Sequence, residues 1–295
     1  MPVTSFREGG NTTDIKSPSR MRDRYKRLIG LTGYLLDHPR LQLSLTELSG
    51  LLNVAKSTLS EDLMFVKDVL ESTGRGRVMT QVGVQGGVVY LPNLDRIRAR
   101  SSLKTWVERL MEPDRLTADG FLYMTDLLFD PKLVEPLGEL LASSFTECRV
   151  DSVVTVETKG IPLAMACARA LGTEVVLIRR DSRLSEGSAL SINYLSGSSR
   201  RIQSMSLSRR ALKSGSSVLF VDDFMKAGGT ARAAADLLGE FGATVIGVGV
   251  LVATREPAHK LIDNFWSLLE WHDNAPSQVV PSEWVNALCR IGEEQ

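Results

Sequence analysis

The chain has 295 residues, and at roughly 100–200 residues per domain this length predicts two domains. Its hydrophobic content of 43% and charged content of 24% are ordinary for a globular protein. The absence of any run of about 18 apolar residues argues against a membrane-spanning helix. Residues 1–18 are polar and lack the apolar centre of a signal peptide. We therefore expect a cytoplasmic protein.

The net charge of zero conceals an uneven distribution of charge along the chain. Residues 1–100 contain 15 Lys and Arg and 10 Asp and Glu, whereas residues 101–295 contain 20 and 25. A basic N-terminal third is compatible with nucleic-acid binding and equally with ordinary solvated helix faces. Cys148, Cys167 and Cys289 are widely spaced and have no histidines nearby. Neither a disulfide framework nor a zinc site is therefore predicted.

The N-terminal segment begins with polar, low-complexity sequence and continues into helical patterns. Residues 1–19 mix Gly, Ser, Thr, Asn and Pro with little apolar spacing, which predicts a disordered tail. Apolar residues then recur at helical spacing from Arg20 to the His38-Pro39 pair. Ser44 and Glu47 have the spacing of a capping box and predict a second helix. A third helix follows, with Ser57 as its predicted cap.

These helices and the segment after them predict a winged helix-turn-helix domain over residues 20–92. Residues 77–92 contain two β-rich runs around Gly86-Gly87, which indicates a hairpin whose turn residues permit positive φ. A recognition helix presents its N-terminal polar side chains to DNA, and the residues predicted to do so are Lys56, Ser57, Thr58 and Ser60. Glu61 and Asp62 would repel phosphate. A small helical cap that contacts only its own protein is the alternative.

The second half of the chain has an α/β pattern. Residues 93–130 are predicted to form a helical connector, and residues 131–295 a second domain. From Asp151 onward strand and helix signals alternate, which predicts a mainly parallel sheet covered by helices, with ligands at the carboxyl ends of its strands. Residues 182–208 hold two β-like runs within Ser-, Gly- and Arg-rich sequence. This segment is predicted to be a mobile flap that closes over a ligand.

The segment VLFVDDFMKAGGT, residues 218–230, has the strongest functional signal. A buried strand is predicted to end at Asp222-Asp223, followed by a loop from Lys226 to Thr230 and a helix that begins near Thr230. Glycines and a helix N-terminus favour a bound phosphate. The carboxylates can accept hydrogen bonds from ribose hydroxyls or hold a hydrated metal ion. A sugar phosphate satisfies both halves, and an ordinary strand-to-helix turn capped by an aspartate is the alternative.

This segment resembles the phosphoribosyl-pyrophosphate signature of type I phosphoribosyltransferases. Together with TKGIPLA, EGSALSINYLSGSSRRIQSMSL and KSTLSEDLMFVK, it closely resembles the purine operon repressor family of Gram-positive bacteria, over roughly residues 20 to 275. The resemblance implies a homodimer in which a winged-helix DNA-binding domain is joined to a phosphoribosyltransferase-like effector domain. It also implies that the protein is a regulator, expected to be a repressor, of purine biosynthesis genes. Phosphoribosyl pyrophosphate, with or without Mg²⁺, is expected to reduce its DNA binding.

The resemblance further implies the residues of the effector site. Asp222 and Asp223 would hold the ribose hydroxyls, the loop from Lys226 to Thr230 the 5′-phosphate, and the loop that contains Lys159 the pyrophosphate. The full predicted set is Thr158, Lys159, Gly160, Tyr194, Asp222, Asp223, Phe224, Met225, Lys226, Ala227, Gly228, Gly229 and Thr230. No catalytic residue and no protein metal ligands are predicted.

Two positions in the signature favour binding over catalysis. In some purine-salvage members of the resembled enzyme family, an aspartate general base occupies the position of Lys226, and a protonated lysine cannot do this work. Ala227 stands where many of the enzymes have a threonine that adds a phosphate hydrogen bond. An active phosphoribosyltransferase with a regulatory N-terminal domain remains an alternative, as does an RNA-binding attenuator. A nucleotide with a pyrophosphate group could compete for the same site.

Overall fold

The computed structural model describes residues 18–81, 86–92, 95–117, 121–180, 187–195, 202–272 and 278–290. The predicted disordered tail therefore lies outside the described residues except at its end. In the described ranges, every helix is too short or too polar to span a membrane.

The N-terminal domain has the predicted order of three helices followed by a hairpin. Its elements are α1 (Pro18–Asp37), β1 (Leu43–Ser44), α2 (Leu45–Leu52), α3 (Lys56–Ser72), β2 (Arg77–Gln81) and β3 (Gly87–Leu91). The strands form a sheet of order β1-β3-β2, in which both pairings are antiparallel. An apolar core of leucines and valines from all three helices and the hairpin holds the domain together.

The start of α2 agrees with the prediction from the sequence, whereas the start of α3 differs from it. At α2 the capping box is present, because the Glu47 amide donates to Ser44 Oγ (3.1 Å) and the Ser44 amide donates to Glu47 Oε2 (3.0 Å). The prediction that Ser57 caps α3 is wrong. The Leu59 amide already donates to the carbonyl of Ala55 (3.0 Å), so the helix begins earlier and Ser57 lies inside its first turn.

Gly87 of the hairpin is required for a reason that the sequence did not indicate. It is the first residue of β3, and a Cβ built there would lie 2.5 Å from the carbonyl oxygen of Leu43 in β1. Its φ is not positive. The close approach of two strands therefore explains this glycine, whereas residues 82–85 lie outside the described part of the chain.

Asp62 does not face the predicted DNA-binding side of α3. It is 1% exposed, and its carboxylate pairs with Arg24 Nε (3.3 Å) and Arg27 Nε (2.5 Å) of α1. The expectation that Asp62 would repel DNA phosphate is therefore wrong, because its charge is compensated inside the domain. Glu61, by contrast, is exposed.

The C-terminal domain alternates strands and helices after an all-helical start. The first part comprises α4 (Arg96–Leu110), α5 (Thr125–Leu128) and α6 (Pro131–Ser143). The elements that follow are β4 (Ser152–Val156), α7 (Ile161–Leu171), β5 (Glu174–Ile178), β6 (Ala189–Leu195), β7 (Ile202–Ser208), β8 (Ser217–Met225), α8 (Gly229–Gly239), β9 (Thr244–Thr254), β10 (Phe265–His272), β11 (Gln278–Pro281) and α9 (Glu283–Arg290).

The central sheet confirms the predicted mainly parallel arrangement. Its strand order is β11-β10-β9-β8-β4-β5. Among the described strands of this sheet, only β10 and β11 pair antiparallel, and the other neighbours pair parallel. Strands β6 and β7, which correspond to the two β-like runs of the predicted flap, form a separate antiparallel hairpin. The segment from β10 to α9 was not anticipated from the sequence.

Helices cover both faces of this sheet. One face packs against α6 and α7, and α4 joins the same core through Leu103, Trp106 and Leu110. The Trp106 indole donates to the carbonyl of Leu133 at 2.9 Å, which ties α4 to α6. The other face packs against α8 and the β6–β7 hairpin. The carboxyl ends of β4 and β8 therefore lie side by side at one edge of the sheet, where the candidate site is found.

Candidate functional site

The turn between β8 and α8 forms the centre of the site. Strand β8 continues through both aspartates to Met225, beyond its predicted end. Gly228 caps α8 with a φ of 82°, a conformation that favours glycine. The first amides of a helix have no acceptor within the helix, so those of Gly229 and Thr230 are available to an anion.

The predicted signature residues surround a small cavity of about 50 Å³. Those that line it are Asp222, Phe224, Met225, Lys226, Ala227, Gly228, Gly229 and Thr230. The loop is supported from behind, because the Leu261 amide donates to the carbonyl of Ala227 (2.9 Å) and Thr254 Oγ1 donates to that of Lys226 (3.4 Å). The structure therefore gathers most of the predicted phosphate-binding residues around one space.

The two adjacent aspartates have different environments. Asp222 is 9% exposed, whereas Asp223 is half-buried, and the Asp223 amide donates to Asp222 Oδ1 at 3.0 Å. Burial raises the pKa of the Asp222 carboxyl well above its usual range, and the negative charge of Asp223 raises it further. The positive charge of Arg180 acts in the opposite direction. The Asp222 carboxyl therefore resists ionisation in the free protein.

The predicted pyrophosphate loop lies against Asp222. Gly160 precedes α7, and a Cβ built on it would overlap Thr155 Oγ1 and lie 2.9 Å from Asp222 Oδ1. Thr158 and Lys159 are exposed beside it, and the peptide bond between Glu157 and Thr158 is cis. Thr155 Oγ1 is buried and has no hydrogen-bond partner among the described residues. The two predicted ligand loops thus meet at Gly160 and Asp222.

Tyr194 does not line the cavity. Its ring is mostly buried against the sheet, and its hydroxyl donates to Gln203 Oε1 at 2.8 Å. Gln203 Oε1 also accepts from Arg180 Nη1 (3.3 Å), and the Arg180 amide donates to Glu157 Oε1 (2.8 Å). Tyr194 therefore helps to attach the β6–β7 hairpin to the 157–160 loop.

Arg180 is the residue of this site that the sequence analysis missed. Its side chain is exposed, and Arg180 Nε donates to the carbonyl of Glu157 at 3.3 Å. The available signal was the arginine pair directly after β5, at a strand's carboxyl end. Residues 181–186 and 196–201, the rest of the predicted flap, lie outside the described part of the chain.

A second candidate site lies in the N-terminal domain. A groove of about 850 Å³ runs between α3, the start of α2 and the hairpin. Of the predicted DNA-binding residues, Lys56 and Ser60 line this groove, whereas the exposed Ser57 and the half-buried Thr58 do not. The further polar residues that line it are Ser44, Thr46, Lys67, Asp68, Glu71 and Thr80. The acidic members of this set come from the second half of α3.

Comparisons with known proteins match both domains. The bacterial purine repressor N-terminal family model matches residues 23–92, and the phosphoribosyl transferase domain model matches residues 126–284. Over 243 residues the chain is 46% identical to the purine biosynthesis transcriptional repressor PurR of Bacillus subtilis, covering 82% of this chain and 85% of that protein. The chain belongs to the PurR family.

A further relative agrees with this assignment, and a solved structure shares the fold. The purine biosynthesis transcriptional activator PurR of Lactococcus lactis is 40% identical over 247 residues, which cover 84% of this chain and 91% of that protein. The crystal structure of the Giardia lamblia APRTase complexed with 9-deazaadenine matches with a TM-score of 0.50 at 19% identity, over 61% of this chain and 99% of that one. The predicted fold class and family are confirmed. As a PurR-family member, the protein is a DNA-binding transcriptional regulator of purine biosynthesis.

The environment of Asp222 predicts how an Asp222→Asn variant changes stability with pH. The folded-state pKa is raised, so below the ordinary aspartate pKa both the folded and unfolded chains are protonated and the charge has no effect. As the pH rises above that value, the unfolded chain ionises first, and the wild type loses stability. The variant cannot ionise, so its Tm relative to the wild type should rise from pH 4 to pH 7.

This prediction is checked by thermal unfolding of both proteins without ligand at several pH values. Asp236→Asn, which changes an exposed carboxylate on α8, is the matched control and should show no such trend. A difference in Tm between wild type and Asp222→Asn that stays constant with pH would contradict the assignment.

Proposed function

We propose that this regulator binds phosphoribosyl pyrophosphate at the β8–α8 site and that the ligand reduces its affinity for DNA. The observation that supports the proposal is the contact of Gly160 with Asp222, which brings the loop after β4 and the loop after β8 together. A ligand with a phosphate at one end, hydroxyls in the middle and a pyrophosphate at the other would contact all of these groups.

The residues divide naturally among the parts of that ligand. The 5′-phosphate would lie at the start of α8, where the amides of Gly229 and Thr230 and the helix dipole favour negative charge. Asp222 and Asp223 would bond the ribose hydroxyls, since a carboxyl group can accept from them and, when protonated, donate. Lys159 and Arg180 would provide positive charge for the pyrophosphate.

Mg²⁺ fits this arrangement as a companion of the ligand. The described residues contain no cluster of three or more His, Cys, Asp or Glu side chains that could hold a metal ion. Mg²⁺ commonly binds through one or two carboxylates together with phosphate oxygens and water, and Asp222 and Asp223 can provide the former. When bound, the ion supplies positive charge that offsets the charge of the pyrophosphate.

We also infer that the protein is a repressor and a homodimer. Repression rather than activation is inferred from the Bacillus subtilis relative, which is a repressor. Deletion of the gene for this protein should then raise the level of purine-gene transcripts. An apolar groove of about 670 Å³ that contains the exposed Phe129 and Met165 offers a face for a second copy. Sedimentation measurement of the mass in solution tests this part.

The effector proposal predicts a specific pattern in an operator titration. Saturating phosphoribosyl pyrophosphate with Mg²⁺ should weaken binding to a duplex from the purine-gene control region by about 5- to 150-fold, the usual range of allosteric coupling. Asp222→Ala and Asp223→Ala should abolish this response, because each removes a ligand for the ribose. Fluorescence anisotropy measures the operator affinity of each protein with and without the ligand.

The matched control is Asp236→Asn, an exposed aspartate of the adjoining helix α8 that lies outside the cavity, which should respond like the wild type. The aspartate variants should bind the operator without ligand as tightly as the wild type does. If the ligand does not change the affinity of the wild type for the operator, the proposal is wrong.

A second candidate function is an active phosphoribosyltransferase, which the fold allows. Lys226 is exposed in the β8–α8 loop, at the position where some purine-salvage members of the resembled enzyme family have an aspartate general base, and a missing general base costs about 10²–10⁴ in rate. We therefore expect no turnover when purines, orotate and xanthine are offered in turn with phosphoribosyl pyrophosphate. Release of pyrophosphate measures this, and turnover at ordinary enzymatic rates would favour the enzyme.

The groove of the N-terminal domain predicts the effect of Lys56→Ala on DNA binding. Lys56 is exposed at the start of α3, where a cation can contact a phosphate. Loss of one such contact should weaken operator binding and reduce the slope of log K against log salt by about 1. Lys104→Ala, an exposed lysine of α4, is the control and should leave both unchanged. Equal effects of the two substitutions would contradict this placement.

A further inference from the structure

We propose that helix α7 transmits occupancy of the effector site to the DNA-binding domain through Gly172, the residue that caps its carboxyl-terminal end. The proposal rests on the proposed function, because it describes how that ligand would act on DNA binding. It assigns the coupling to the contacts that Pro39 and Arg40 of the DNA-binding domain make with the effector domain.

The amino-terminal end of α7 belongs to the effector site. The helix begins at Ile161, directly after Gly160, which lies against Asp222. The Ile161 amide donates to the carbonyl of Thr158 (3.3 Å), so the exposed loop is continuous with the first turn of the helix. A pyrophosphate bound by Thr158 and Lys159 would therefore act directly on the position of this helix end.

The body of α7 is suited to move as one unit. It is buried along most of its length, and its neighbour α6 crosses it in backbone contact. A Cβ built on Gly138 of α6 would lie 2.7 Å from the Cys167 amide nitrogen. Because packed interiors do not deform continuously, a displacement at one end of such a helix reaches the other end.

The carboxyl-terminal end of α7 contacts the DNA-binding domain. Gly172 has a φ of 67°, and a Cβ built on it would lie 2.5 Å from the carbonyl oxygen of Pro39. The next residue, Arg40, has its amide donating to the carbonyl of Tyr90 in β3 at 2.8 Å. The contact therefore continues from α7 through the loop after α1 into a strand of the hairpin.

Arg40 provides a second connection at the same place. Its Nη1 donates to the carbonyl of Thr146, after α6, at 3.3 Å. Its Nε is buried without a hydrogen-bond partner among the described residues, so the guanidinium is only partly satisfied in this arrangement. An incompletely bonded buried group is one whose bonding a small shift of the neighbouring helices can improve or worsen. The interface can therefore favour different domain positions with and without ligand.

The experiment measures the coupling factor, the ratio of operator Kd with and without saturating phosphoribosyl pyrophosphate and Mg²⁺. Gly172→Ala inserts a methyl group against the Pro39 carbonyl, and Arg40→Gly removes the guanidinium while tolerating the positive φ of 60° at that position. Both should reduce the factor to less than about twofold from a wild-type value in the usual 5- to 150-fold range. Their affinity for the ligand, measured by calorimetry without DNA, should stay within about threefold of that of the wild type, because a contact at the far end of α7 touches no part of the ligand.

Gly242→Ala is the matched control. Gly242 follows α8 with a φ of 69°, and its built Cβ would lie 2.7 Å from Ser214 Oγ, within the effector domain. It introduces similar strain without touching the DNA-binding domain, so its coupling factor should equal that of the wild type. Should Gly172→Ala fail to fold, Arg40→Gly decides the test.

The outcomes separate the two proposals. If the ligand does not change the operator affinity of the wild type, both the proposed function and this inference are overturned. A wild type that responds, together with variants that respond equally, overturns the role of α7 alone. Loss of ligand binding in Arg40→Gly would also overturn it, because the substitution would then act on the ligand site itself. Loss of coupling in Gly242→Ala would overturn it too, because reduced coupling would then not be specific to the contacts with the DNA-binding domain.

Discussion

The approach of Gly160 to Asp222 is the contact on which the proposed effector site depends. Parallel pairing of β4 with β8 places the carboxyl ends of these strands side by side, so the loops that follow them share one edge of the sheet. Only a residue without a side chain fits between Thr155 and Asp222 at that point. Two loops that are distant in the chain thereby become one surface for a ligand.

The charged residues around that contact have different environments. The buried Asp222 resists ionisation, and a protonated carboxyl can both donate and accept hydrogen bonds. Lys159 and Arg180 lie exposed at the rim, where they can attract an anionic ligand without the cost of burying a charge. Lys226 lies exposed in the loop that follows β8. The chain thus joins a phosphoribosyl transferase domain to the DNA-binding domain of a regulator.

The DNA-binding domain shows how tertiary contacts change the meaning of a charged sequence. Read along α3, Glu61 and Asp62 look like an acidic pair close to the predicted DNA surface. In the folded domain Asp62 turns inward to Arg24 and Arg27, so it joins α3 to α1. The same fold places the loop after α1 against Gly172, and this connects the DNA-binding domain to the effector domain.

The sequence by itself determined the features that depend on a few adjacent residues. These include the capping box at Ser44 and the β8–α8 loop, because backbone preferences and apolar spacing act locally. Tertiary structure alone decided that Tyr194 is buried away from the cavity and that Arg180 joins the site. It also decided that Asp62 forms ion pairs with Arg24 and Arg27. Burial and partnership arise from residues far apart in the chain, and no local pattern encodes which of them will meet.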